Sequence, residues 1–200
     1  MNTEALGKSK LTFVDRVGAY LSLRPIFDVV KRYEQPAVLD IGCGHRAHVL
    51  VALGDRIGRG VGIDESVSDD ARASSRLTFL EGPAEKHIGG LASESFDVVM
   101  MISVLEHLWE PVDALKECRR LLRPGGSLVL NVPNWAGKVF LEVSAFKLGM
   151  STADSIDDHK NYYAKRELWP IIVRAGFRPS KIRMRYHKLG LNTFAVAVKD

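Results

Sequence analysis

Two hundred residues with 46% hydrophobic and 26% charged side chains describe a globular chain, which excludes disorder, collagen-like repeats and low complexity. That length fits one domain, which buries roughly 70% of the surface its unfolded form exposes, and two cysteines, Cys43 and Cys118, are too few for a disulfide framework. The formal net charge of +4 is mild for a nucleic-acid binder.

Residues 1–10 contain a glutamate and two lysines before apolar residues accumulate, so no signal-peptide core is present. No uncharged apolar run approaches the ~20 residues of a membrane span, and a soluble, cytoplasmic protein is the expectation. From Leu11 to Tyr33 the spacing of Val14, Val17, Leu21, Ile26, Val29 and Val30 predicts a helical segment broken at Pro25. Ala37 to Ile41 reads as a buried strand, followed by a glycine-rich turn and a helix from Ala47 to Leu53. Gly60–Asp64, Leu77–Leu80 and Phe96–Met101 are the second to fourth strands, the last too apolar for a one-sided sheet. A helix from Asp113 to Leu122 is expected to end at Pro124-Gly125-Gly126, with a fifth strand from Ser127 to Val132. Strands alternating with helices predict a parallel α/β sheet with right-handed crossovers. Between Asn134 and Asn161, the residues Trp135, Val139, Phe140, Val143, Phe146 and Leu148 have helical spacing. The preferred reading is a lid over an acceptor pocket; packing on the sheet, a dimer contact or a lipid-surface contact fits the same pattern. Ser151 to Asp158 is polar and acidic, the pattern of a loop.

The chemistry starts at Asp40-Ile41-Gly42-Cys43-Gly44. A strand ending in Gly-x-Gly before a helix lets backbone approach a ligand where side chains would block it. Gly42, Gly44 and Ala47 also satisfy the dinucleotide pattern, so the turn alone is weak evidence. Asp64 adds weight, because it closes the second strand where a carboxylate takes both hydroxyls of a ribose. The two features together indicate an adenosine-containing cofactor. A pyrophosphate would be repelled by Asp40, whereas a ligand with a positive centre and an ammonium group suits it. S-adenosylmethionine has both, and backbone N–H groups after Gly44 suit its carboxylate.

Val38-Leu39-Asp40-Ile41-Gly42-Cys43-Gly44 followed by Val61-Gly62-Ile63-Asp64 resembles the first two motifs of class I S-adenosylmethionine-dependent methyltransferases. Ser95-Phe96-Asp97-Val98-Val99, Val104-Leu105-Glu106-His107-Leu108 and Leu122-Arg123-Pro124-Gly125-Gly126 are similar to later segments of their type 11 branch. That branch includes quinone-biosynthesis enzymes and others acting on sugars and small molecules. The resemblance covers Pro36 to Pro133, with a weaker echo from His159 to Phe177. It implies a Rossmann-like α/β fold: a seven-stranded, mostly parallel sheet with helices on both faces. The last strand would run antiparallel beside the fifth, leaving the sixth at an edge, and Ser180–Tyr186 and Thr193–Val198 suit that closing hairpin. The expected organisation is a single domain over residues 1–200. It comprises an N-terminal helical segment (1–35), a cofactor-binding core (36–133), an acceptor-side insertion (134–163) and a C-terminal helix with its strand hairpin (164–200).

Asp40, Gly42, Gly44, Asp64, Ala84 and Ser103 are the residues expected to bind the cofactor. Two departures stand out. His45 and Arg46 occupy positions where the family often has a third glycine, which puts one of them in reach of the cofactor's carboxylate. Pro83 stands where the family has an acid for the adenine amino group, leaving the Ala84 N–H or Glu85 to hold that ring.

Methyl transfer from a sulfonium is an in-line displacement that needs alignment and a deprotonated nucleophile. Histidine is the simplest base near neutral pH. The candidates are His107, after the fourth strand, and His159, beyond the fifth. Each has a plainer alternative: a loop-shaping hydrogen bond for His107, solvation beside Asp157 and Asp158 for His159. Tyr162 and Tyr163 fit packing better than a pocket wall. Glu106-His107 is half of the metal-binding Glu-x-x-Glu-His arrangement, but Ser103 stands where the other carboxylate is needed, so no metal is expected. Cys43 and Cys118 stand apart, which argues against thiol chemistry.

The leading expectation is methyl transfer to a small-molecule acceptor, at an oxygen of a saccharide or related metabolite. An RNA-modifying methyltransferase and a non-catalytic S-adenosylmethionine-binding protein are the alternatives. Charge is distributed unevenly: residues 1–35 carry +2, residues 36–159 carry −6 and residues 160–200 carry +8. The acidic core is unlike a nucleic-acid groove. Lys181, Arg183 and Arg185 alternate with Ile182, Met184 and Tyr186 and so share one face of the sixth strand. Protection of a sheet edge is the favoured account of that stripe, and a dock for an anionic acceptor is the other.

Overall fold

A computed structural model describes residues 23–140 and 160–200. Seven strands form one sheet in the order β3-β2-β1-β4-β5-β7-β6. They are β1 (Ala37–Ile41), β2 (Arg59–Asp64), β3 (Leu77–Glu81), β4 (Phe96–Ile102), β5 (Leu122–Pro133), β6 (Ile182–His187) and β7 (Asn192–Val198). The β1 to β5 pairings are parallel, whereas β7 runs antiparallel between β5 and β6 and leaves β6 at the edge.

Apolar residues on consecutive positions bury β1 on both faces: all five of its residues are inaccessible. On one face Leu39, Ile41, Val99, Met101 and Leu130 pack against α4 (Pro111–Leu121) and α6 (Lys165–Arg174), through Leu115, Leu121, Leu168 and Ile172. On the other, Val38, Val98, Met100, Val129 and Phe194 meet α1 (residues 23–30) and α2 (His48–Leu53), through Ile26, Val29, Val30, Leu50 and Leu53. The remaining helices are α3 (Ala84–Ile88) and α5 (residues 135–140). Among the described residues, no helix is long and apolar enough to cross a membrane.

Three local expectations change. Residues 23–30 are helical with Pro25 inside that stretch, not at a break. The fourth helix stops at Leu121, ahead of Pro124-Gly125-Gly126, because Leu122 is already extended and pairs with Phe96 across an irregularity in the β4–β5 register. In the 134–163 insertion the described turns of helix leave Trp135, Val139 and Phe140 each more than half exposed. Val143, Phe146, Leu148, the acidic loop and His159 lie outside the described residues.

Candidate active site

The carboxyl ends of β1, β2, β3 and β4 meet at one place because parallel strands deliver their following loops to the same edge. The turn after β1 is pinned to β2 by two hydrogen bonds, from the Gly42 and Cys43 N–H groups to the Ile63 carbonyl (2.8 and 3.1 Å). The Gly44 N–H donates to Oδ2 of Asp64 at 2.7 Å. Gly42 and Gly44 both adopt the left-handed region, with φ of 71° and 74°. They differ in what a side chain would meet. A Cβ at Gly42 would lie 2.3 Å from a methyl of Val104, whereas one at Gly44 meets nothing within 4 Å. Gly42 serves the packing of two loops, and Gly44 faces open space.

Asp40 lies between Gly62 and Met100 in the sheet, only 1% exposed, and neither carboxylate oxygen has a hydrogen-bond partner. Burial, reinforced by the charge of Asp64, pushes its carboxyl up to about 8. Asp64 is half-buried, and one of its oxygens is already committed to the glycine turn. His45 turns aside, its Nδ1 3.2 Å from the Ser66 hydroxyl, and its carbonyl accepts the Ser68 N–H at 2.7 Å.

The loop after β3 is tied to the same corner, since the Gly82 N–H donates to the Asp64 carbonyl at 2.9 Å. Pro83 then leads into α3, and Ala84 lines a cavity of about 570 Å³ with Val104 and His107. Ile41, Ile88, Met101 and Leu108 form its apolar floor, and Glu85 also lines it. Ser103 takes a left-handed φ of 57°, and its N–H is held by the Asn131 carbonyl at 2.8 Å. His107 ends the short 3-10 turn Leu105–His107. Asp40, Gly42, Gly44, Asp64, Ala84, Ser103 and His107 therefore share one region. His159 lies outside the described residues.

Sequence reasoning treated Glu106 only as half of a metal motif. It is 0% exposed, neither carboxylate oxygen has a partner, and burial pushes its carboxyl up to about 7. The Glu106 carbonyl accepts the N–H groups of Lys160 and Asn161 (2.9 and 3.1 Å), and Asn161 Nδ2 donates to Leu108. Residues 160–163 thereby strap the loop after β4 to the end of β5, where the Tyr163 N–H reaches the Pro133 carbonyl at 3.0 Å. Tyr163 is buried with an unpartnered hydroxyl, pushed up to about 12 by burial and by the nearby Glu106 charge. Lys188, in the β6–β7 turn, is lowered by burial and raised by Glu106. The available signal was an acid inside an otherwise apolar run, Val104-Leu105-Glu106.

Among the described residues, no three His, Cys, Asp or Glu side chains group as a metal site. Cys43 and Cys118 are both buried and free, and burial pushes each thiol up to about 12.

Comparison with known proteins places this geometry. Residues 39–130 match a family model described as "Methyltransferase domain". The chain is 33% identical over 84% of its length to an uncharacterized 37.1 kDa protein in transposon TN4556 of Streptomyces fradiae, covering 50% of that protein. It is 26% identical to a ubiquinone biosynthesis O-methyltransferase of Vibrio cholerae, over 68% of this chain and 58% of the relative. A tRNA U34 carboxymethyltransferase of Shewanella denitrificans is 38% identical over 46% of this chain and 30% of its own. The chain thus spans about half the length of the first two of these relatives. A solved S-adenosylmethionine-dependent methyltransferase from Archaeoglobus fulgidus shares the fold, with a TM-score of 0.67 at 16% identity. That alignment covers 92% of this chain and 94% of the other. Residues 39–130 thus match the methyltransferase-domain family, and the sheet that holds them shares the fold of solved S-adenosylmethionine-dependent methyltransferases.

Proposed function

We propose that this chain transfers a methyl group from S-adenosylmethionine to an oxygen of a small-molecule acceptor, a saccharide or related metabolite. The observation that carries the cofactor assignment is the buried Asp40 carboxylate, unpartnered beside a glycine turn whose Gly44 opens to free space. A buried acid without a partner is costly, and a ligand bringing a positive charge and N–H donors relieves that cost. In this reading Asp40 faces the cationic end, Gly42 and Gly44 admit the ligand, and Asp64 takes a ribose hydroxyl with its uncommitted oxygen. Ala84 and Ser103 complete the contacts, and the apolar cavity beside Ala84 suits the adenine ring. When bound, S-adenosylmethionine supplies an electrophilic methyl carbon. The chain's own part is to align the acceptor and receive its proton, for which His107 is the described candidate and His159 the other. The ubiquinone O-methyltransferase relative supports oxygen as the acceptor atom.

A second reading, RNA modification, is favoured by the tRNA-modifying relative and by the +8 charge of residues 160–200. Thermal shifts with S-adenosylmethionine, S-adenosylhomocysteine and NAD test the cofactor. A ligand at 100 times its Kd adds about 2.7 kcal/mol, a rise of several degrees. A shift with NAD alone overturns the assignment. Labelled methyl transferred to RNA and to no small molecule selects the second reading, and binding without any transfer marks a non-catalytic protein.

A further inference from the structure

The start of α5 and the β6–β7 turn lie together at the carboxyl edge of β5 and carry large apolar side chains open to solvent. Trp135, Val139 and Phe140 of α5 are each more than half exposed, as is Tyr186, and Leu189 in the turn is 95% exposed. Trp109, in the loop after β4, is 79% exposed.

Contacts join these groups into one surface. The Asn134 N–H donates to the Leu191 carbonyl at 3.1 Å and its Nδ2 to the Gly190 carbonyl at 2.7 Å. A Cβ at Gly137 would lie 2.3 Å from the Leu191 carbonyl, so α5 rests directly on the turn. Trp135, Ala164, Tyr186 and Gly190 line one hollow of about 240 Å³. The Tyr162 ring centre lies 5.6 Å from that of Trp135, and two residues earlier the Lys160 ammonium lies 5.3 Å from the Trp109 ring centre.

Lysines stand among the rings. Lys138 lies 5.6 Å from the ring centres of both Trp135 and Tyr162, and Lys165 lies 4.4 Å from that of Tyr186. Residues 134–140, 160–165 and 186–191 hold four lysines and no aspartate or glutamate, so the surface attracts anions. The turn itself is strained, because Lys188, Leu189 and Gly190 all take left-handed φ values of 47, 58 and 88°. Asparagine or glycine fits that region with less strain than leucine. A strained leucine whose side chain is given to solvent points to a role outside the fold.

We propose that this edge docks on an anionic lipid bilayer. Leu189, Val139 and Phe140 enter the acyl boundary, and Trp109, Trp135 and Tyr186 sit at headgroup level, where amphipathic rings are favoured. Lys138, Lys160 and Lys165 meet the lipid phosphates. RNA is the weaker match, because bases stack on open aromatic faces. Here lysines lie over the rings, and the most exposed side chain, Leu189, is aliphatic. The proposal holds whichever acceptor the chain methylates.

Sedimentation of the whole chain with vesicles tests it. The chain is expected to pellet with mixed phosphatidylglycerol and phosphatidylcholine vesicles, to be released at high salt, and to stay in solution with phosphatidylcholine alone. Leu189→Asn relieves the turn and should melt no lower than wild type. Combined with Trp135→Gln, it should weaken binding to the anionic vesicles by at least about tenfold. Lys138→Gln/Lys165→Gln should weaken it by about fivefold for each lysine. All of these side chains lie at the surface, and thermal melts matching wild type verify that the double variants are folded. A wild-type chain that stays in solution with anionic vesicles overturns the proposal. So does equal pelleting by Leu189→Asn/Trp135→Gln, or binding of single-stranded RNA in preference to the vesicles. A dimer that forms in place of vesicle binding and is abolished by the same double variant overturns it too.

Discussion

Replacing Glu106 with glutamine should flatten the pH dependence of stability between about pH 4.5 and 7. The Glu106 side chain is shut away from water and has no hydrogen-bond partner, and its carboxyl sits near 7 in the folded chain. Desolvation is the main cause, and the Lys188 charge acts in the opposite direction. Below pH 4.5 the carboxyl is protonated in both states, and its contribution to stability is fully present. As pH rises the unfolded chain ionises first, while the folded chain keeps its proton until about 7. Each pH unit in that window therefore costs about 1.4 kcal/mol, on the order of 3 kcal/mol in total by neutrality. Glutamine does not ionise and escapes this loss. Urea midpoints measured at pH 5, 6, 7 and 8 give the difference between variant and wild type, which should grow with pH and level off above 7. A difference constant to within about 0.5 kcal/mol across the series would refute the reasoning.

The glycine turn separates fold from binding. Gly42→Ala forces a Cβ into Val104 and should lower stability by about 1–3 kcal/mol, whereas Gly44→Ala carries only the left-handed backbone strain of about 1 kcal/mol. Equal losses in chemical denaturation would contradict that division. Asp64→Ala should abolish the S-adenosylmethionine thermal shift. His107→Ala should keep it and lose turnover, and full activity in that variant would remove His107 as the base. Cofactor affinity should rise with pH up to about 8, at most tenfold per unit, as Asp40 ionises toward a cationic ligand. Asp40→Asn should show no such slope in calorimetric titrations from pH 6 to 8; an equal slope assigns the titration to another group.

Local pattern determined much of this molecule. The boundaries of β1 follow from five apolar-dominated residues between a proline and a glycine turn, and β2, β3 and β4 match their apolar runs to within two residues. The relation of Gly44 to Asp64 was legible for the same reason: two strand ends carry it, and parallel neighbours bring strand ends together. The helix stop at Leu121 was not legible, because pairing of Leu122 with Phe96 overrides the punctuation of Pro124-Gly125-Gly126. Nor was the polar cluster of Glu106, Tyr163 and Lys188, whose members come from the loop after β4, the strap at 160–163 and the β6–β7 turn. Periodicity along the chain identified a parallel α/β sheet, since strand and helix periods are local properties. Which buried polar groups remain unpartnered depends on segments far apart in the chain closing over one another, and only the tertiary structure decides that.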